Sequence, residues 1–318
     1  MIGVAKPNER DYQVDNIRAI LIFLVVLGHL LPADRDGSRG FLYSFIYSFH
    51  MPVFVYISGR YARYDRIKLL KHYIWPYVFF QTGYFYFRAY ILHEAVSLQF
   101  TTPYWILWYL MTMATYLCLL PLLKVQNRKQ GGMAIAIAFV AALAVGFDST
   151  IYRYLSLSRT IVFLPFFLLG HYRDLLIDEK RKRFLHKSVF VVCCGMIIIL
   201  LEYLICISNI PEDSLHFTTA YPDMKAMAER LVLLVSGACW ILFLFQAVPN
   251  RKFGFFSIVG RNTMPIYLLH GFFVLWVTKS GLFHYEAETN YALAVILSVM
   301  IVIVLGNQFL GKLFRRFF

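Results

Sequence analysis

The chain has 318 residues, 59% of them hydrophobic and only 15% charged, with a formal net charge of +13 at pH 7 and a mean hydropathy of +0.60. That composition excludes a soluble globular domain and predicts an all-α polytopic membrane protein, because a backbone in lipid must satisfy its polar groups within helices. The cationic excess reads as a topology signal and an attraction to anionic lipid, and no feature suggests nucleic acid binding.

About ten apolar windows of roughly 17 to 25 residues, the length a membrane span requires, follow one another along the chain. They lie near 17–33, 41–59, 72–92, 104–123, 131–147, 159–176, 188–208, 228–248, 263–279 and 290–310. They leave no room for a soluble domain, so a single integral-membrane domain over 1–318 is expected. Pro32-Ala33-Asp34-Arg35 runs from the first window towards the second with no small-residue cleavage site, which argues against a signal peptide. Cations cluster at Lys6, Arg10 and Arg18, at Arg60 to Lys71, at Lys124 to Lys129, at 173–187, at Arg251 to Arg261 and at Lys312 to Arg316. The alternate connections hold far fewer, chiefly Arg35, Arg39, Arg153, Arg159, Lys225 and Lys279. By the positive-inside rule both termini are cytoplasmic, as expected of a multi-pass protein of the inner (plasma) membrane.

The first window contains His29 in an uninterrupted apolar run, with Arg18 eleven residues earlier at its charged end. A helix returns residue i+11 to within roughly 20° of residue i after a rise of about 16 Å. Arg18 and His29 therefore share one face, a cation near the membrane surface and an imidazole near mid-depth, and ionisable groups inside a bilayer tend to mark sites. The plainer reading keeps Arg18 as an anchor paired with Asp15 and His29 as an interhelical hydrogen-bond partner.

In the second window Phe49-His50-Met51-Pro52 precedes Ser58-Gly59. Proline removes a backbone donor and kinks the helix beside His50, which suits a cavity wall, whereas small residues allow close helix approach. Trp75-Pro76-Tyr77 stands near the start of the third window and Trp105-Ile106-Leu107-Trp108-Tyr109-Leu110 in the fourth. Arg88 and Glu202 fall in the outer halves of the third and seventh, where an interhelical ion pair is expected if those helices are neighbours. The outer connection 209–227 carries Glu212, Asp213, His216 and Thr218, a set suited to sugar recognition and equally to any solvated loop. The ninth window opens with Asn262-Thr263-Met264-Pro265-Ile266-Tyr267-Leu268-Leu269-His270, in which Tyr267 and His270 share a face. The five cysteines, Cys118, Cys193, Cys194, Cys206 and Cys239, lie inside the windows without zinc-like spacing, so neither disulfides nor a metal site is expected.

These strings, in this order and together with Pro165-Phe166-Phe167-Leu168-Leu169-Gly170 in the sixth window, resemble the acyltransferase-3 family of membrane-bound O-acyltransferases. The chain is most similar to its fucose 4-O-acetylase-like branch. The resemblance implies transfer of an acyl group, usually acetyl, from cytoplasmic acyl-CoA to a hydroxyl of a cell-surface or lipid-linked glycan. It implies that His29 is the essential histidine and that Arg18 meets the CoA phosphates. The family's R-x-x-R pattern is imperfect: Lys68 and Lys71 stand at the matching place, and lysine neutralises phosphate without the bidentate fork of arginine. His50, Asn262, Tyr267 and His270 are further candidates for the cavity.

The chemistry of the residues agrees with that implication. A sugar hydroxyl is a poor nucleophile until a base takes its proton, and imidazole, ordinarily titrating near pH 6.5, suits that task. A cationic cluster that holds the phosphates would let the long, nearly uncharged arm of the donor carry its thioester inward to His29. A secondary transporter is the alternative, since it too combines about ten helices with intramembrane His, Arg and Glu and a proline-broken helix. No half-to-half similarity supports that alternative.

Overall fold

The computed structural model describes residues 10–32, 40–151, 154–178, 181 and 188–318. The predicted topology cations Lys6, Arg35, Arg39, Arg153, Lys180, Lys182, Arg183 and Lys187 lie outside the described residues. Among the described residues all regular structure is helical. The main helices are α1 (Tyr12–Leu30), α2 (Phe41–Tyr61), α3 (Trp75–Tyr86), α4 (Trp108–Leu119), α5 (Arg128–Ala144), α6 (Leu157–His171), α7 (Ser188–Ser208), α8 (Met224–Ala247), α9 (Thr263–Ser280), α10 (Ala287–Leu305) and α11 (Gln308–Phe317). Seven helical stretches among the described residues are long and apolar enough to cross a membrane, namely α1, α2, Arg128–Phe147, Tyr154–His171, α7, α8 and α10.

The remaining windows also contain helices, but each departs from a plain span for a visible reason. Leu70–Ile74 before α3 and Phe87–Ile91 after it are π-helical. Pro76 has no N–H for the carbonyl of His72, and a widened turn is the usual way to absorb that loss. α4 is short, with a 3-10 turn around Pro121 ending it. α9 carries Pro265, His270 and Lys279, which lower its apolarity, and stops at Gly281 with φ of 68°.

Local signals set several boundaries. Asp11 caps α1 by accepting from Val14 N, Asn127 caps α5 at Gln130 N, and Asp223 caps α8 at Ala226 N. α11 is strongly amphipathic, with Arg315 and Arg316 in its last turn, as in a helix lying along a membrane surface.

α1 is the hub. It packs against α2, α9, α10 and the short helix Gly254–Arg261, and 67% of its apolar window is buried by protein against 22% for α7. α7 faces outward with Val189, Val192, Met196, Ile199 and Tyr203, and turns Cys194, Ile198, Glu202 and Ile205 inward. α2 and α6 share the most extensive helix contact and approach backbone to backbone: a Cβ on Gly59 would overlap the backbone of Phe167, and one on Gly170 the backbone of Tyr56. Ser58-Gly59 thus includes the close-approach residue that small size suggests.

Candidate active site

A cavity of about 980 Å³ runs alongside α1 and α2. From α1 it is lined by Arg18, Ile22, Val25 and His29, and from α2 by Tyr43, Tyr47, His50, Phe54 and Ser58, so both stripes follow helical spacing. They run in opposite directions. Arg18 lies 5.6 Å from the ring of Tyr61 at the end of α2, while His29 lies 6.3 Å, centroid to centroid, from Tyr47 near its start. One end, or mouth, of the cavity therefore holds Arg18, Ser58 and His72, the other holds Tyr43, Arg159, Glu212 and His216, and His29, in the last turn of α1, lies towards the second.

His29 Nδ1 is 2.9 Å from Nε2 of His270 on α9. The Nδ1 of His270 lies 2.9 Å from the carbonyl of Ile266 and 2.8 Å from that of Tyr267, and only a donor can serve carbonyls. In the neutral ring His270 Nε2 is then an acceptor, so His29 must donate from Nδ1 and keep a lone pair on Nε2, the ring edge away from His270. That is the form a general base needs. The two rings are parallel within 6°, and Trp105 packs edge-on to His29 with centroids 4.3 Å apart.

The far mouth is a polar network. Tyr43 Oη donates to Glu212 Oε1 at 3.0 Å and pairs with His216 Nε2 at 2.8 Å, while Arg159 Nε donates to the His216 carbonyl at 2.9 Å with its guanidinium 4.9 Å from the centre of the Trp108 ring. Leu155 and Ser156, just before α6, have φ of 47° and 56°, and Ser156 lines the cavity. Left-handed backbone at non-glycine residues is strained and recurs at functional sites.

The family model described as an acyltransferase domain matches residues 11–307. The chain belongs to this acyltransferase family. It is also similar to nodulation protein NolL of Sinorhizobium fredii (strain NBRC 101917 / NGR234), 46% identical over 63 residues, which is 18% of this chain and 17% of that protein. The chain thus spans well under a fifth of the length of that relative. No solved structure matches.

Within this acyltransferase the predicted residues fall into distinct places. Arg18, His29, His50 and Tyr267 line the cavity. Asp15 is bound to Arg10 at 2.6 Å, so the expected Arg18–Asp15 pair gives way to Arg18 over Tyr61. His50 Nδ1 is 2.6 Å from the carbonyl of Ile46, and Tyr267 Oη donates to the carbonyl of Ile106. His270 does not line the cavity: fully buried, it stands behind His29 and orients it. Asn262 is also away from the cavity, holding the carbonyls of Gly306 and Asn307 and accepting from Arg315 Nη1, so it ties α9 to the α10–α11 junction. Lys68 and Lys71 are exposed and outside the cavity, and the neighbouring His72 and Tyr73 are the residues of that segment that reach its wall.

The expected Arg88–Glu202 ion pair is not formed. Arg88 Nε binds Glu94 at 2.6 Å, and Glu202 Oε1 accepts from Ser48, Ser236 and Trp240 at 2.8, 2.8 and 2.9 Å. The helices expected to carry the pair, α3 and α7, do not pack on each other; α7 packs on α8 and α2. Trp105, Gln81 and Arg159 are site residues that sequence reasoning did not single out. Their one signal was the tryptophan-rich string at 105–110, which looks like ordinary interfacial aromatic content. Among the described residues no group of three or more His, Cys, Asp and Glu side chains is arranged to hold a metal ion, and the cysteines are free thiols.

Proposed function

We propose that this protein is an inner-membrane O-acyltransferase of ten spans, both termini cytoplasmic, that moves an acetyl group from cytoplasmic acyl-CoA to a hydroxyl of a cell-surface or lipid-linked glycan. The finer assignment to the fucose 4-O-acetylase-like branch belongs to the same proposal. The observation that carries it is His29, in the wall of a cavity with Arg18 at one end and a polar aromatic cluster at the other, with its Nδ1 proton committed to His270.

Arg18 meets the phosphates of the donor at the cytoplasmic mouth, and the exposed Lys68 and Lys71 add long-range attraction there. The donor's arm follows the α1–α2 stripes, a path of about 16 Å along the helix, to bring the thioester beside His29. The acceptor enters from the mouth formed by Tyr43, Arg159, Glu212 and His216, where an aromatic face and clustered polar groups suit a sugar ring. His29 Nε2 takes the hydroxyl proton as oxygen attacks the thioester carbon, and the imidazolium returns that proton to the departing CoA thiolate. Holding donor and acceptor on one base replaces an encounter in solution with an intramolecular step.

The same continuous cavity would serve a secondary transporter, and one experiment separates the two. Membrane vesicles carrying the native acceptor are supplied with acetyl-CoA labelled in the acetyl group. The acyltransferase releases CoA thiol in step with label entering glycan, and His29→Ala abolishes both while the purified variant keeps its melting temperature. Full activity in His29→Ala, or solute flux without thiol release, refutes the proposal.

A further inference from the structure

Trp105 Nε1 is buried with no hydrogen-bond partner, in a ring that packs edge-on to His29 with centroids 4.3 Å apart. An orphaned buried donor destabilises the fold, and such groups are scarce enough in folded proteins to need a reason. Among the neighbouring polar groups of the cavity, Tyr104 Oη is likewise buried without a hydrogen-bond partner, whereas three others are engaged. Tyr109 Oη is bonded to Ser58 Oγ at 2.5 Å, Tyr267 Oη to the carbonyl of Ile106, and His50 Nδ1 to the carbonyl of Ile46.

The backbone that carries Trp105 is held from both sides. Gln81 donates to the carbonyls of Gln99 and Thr102 at 2.5 and 3.0 Å and accepts from Tyr104 N at 3.0 Å. On the other side Tyr267 holds the carbonyl of Ile106, and Leu107 N donates to the Tyr104 carbonyl at 2.7 Å. With its backbone held, Trp105 keeps an indole donor beside the base, and acyl transfer has a use for one, because negative charge develops on the thioester carbonyl oxygen and N–H groups that reach it stabilise it.

Resting on the acyl-transfer reading above, we propose that Trp105 is a catalytic residue whose Nε1–H donates to the carbonyl oxygen of the thioester and to the oxyanion formed from it. The hydroxyl oxygen bonds to the carbonyl carbon as its proton passes to His29 Nε2, and the carbonyl π pair moves onto oxygen against the indole N–H. The pair returns as the C–S bond breaks, and His29 delivers the proton to the thiolate. The indole is only partly buried and lines the cavity, so a tilt of the ring brings Nε1 onto a seated carbonyl. Catalytic hydrogen bonds commonly tighten in this way in the substrate complex.

The test replaces Trp105 with 3-(3-benzothienyl)alanine, which keeps the ring shape and exchanges N–H for sulfur, and separately makes Trp105→Phe. Both are assayed with acetyl-CoA in the membranes described above, beside wild type and His29→Ala. The expected result is a fall in kcat of about 100-fold or more, with KM for acetyl-CoA and the melting temperature of the isostere unchanged. An isostere with wild-type kcat, or one whose whole loss lies in KM, overturns the assignment. If His29→Ala is also fully active, the acyl-transfer reading itself fails; if only the Trp105 substitutions are silent, the oxyanion role alone is lost.

Discussion

Replacing His270 with phenylalanine removes the acceptor on which the tautomer of His29 depends. The 2.9 Å bond between the two rings is buried, and His270 has no exposed surface. Stranding a buried N–H costs about 1–3 kcal/mol, and each 1.36 kcal/mol is tenfold in rate, so kcat should fall by about 5- to 150-fold. The upper end is favoured, because a proton that migrates to Nε2 silences the base altogether. Since His270 does not line the cavity, KM for acetyl-CoA should stay within about twofold of wild type. His270→Gln, whose amide oxygen accepts a hydrogen bond, should recover part of the loss. The assay is initial-rate thiol release from purified protein in membranes, with thermal melting as the control for folding. A folded His270→Phe enzyme with wild-type kcat would refute the orienting role of His270 and with it the tautomer assigned to His29.

Arg18→Ala should raise KM for acetyl-CoA about tenfold or more through loss of a charge-assisted contact, whereas Lys68→Ala and Lys71→Ala should change it by less than about threefold at physiological salt; equal effects from the three would contradict the placement of Arg18 at the mouth. Glu202→Gln keeps an acceptor oxygen and should melt close to wild type, but Glu202→Leu strands the donors of Ser236 and Trp240, at about 1–3 kcal/mol each, while Ser48 keeps the carbonyl of Phe45, and should give a clearly lower melting temperature. Gly59→Val and Gly170→Val should each fail to yield monodisperse protein, since the new side chain meets the facing backbone of α6 or α2 and overpacking costs about 1–3 kcal/mol or more. Normal yield of either would show that those helices have room to separate.

Much of the site was legible because helical periodicity is rigid. The spacing of Arg18 and His29 alone put them on one stripe, and both line the cavity. Helix positions were legible for the same reason, since apolar windows mark them whatever their neighbours. What sequence does not encode is which helices touch. Glu202 was matched to Arg88 on depth alone, whereas α7 lies against α8 and α2, and serine and tryptophan donors there take the place of a cation. His270 and Asn262 belong to one recognisable string, yet only the folded helix shows that the first hydrogen-bonds His29 and the second closes a helix junction. Trp105 stood in a recognisable string but carried no sign of its role, because an indole that packs and an indole that donates look identical in a tryptophan-rich segment.

The two histidines are separated by 241 positions in sequence. α1 is made well before α9 and α10, the helices that enclose it, and His29 meets its partner imidazole only when α9 packs against α1. On the function proposed above, a growing chain carries its base before the ring that aims it, so the site is completed by the docking of α9.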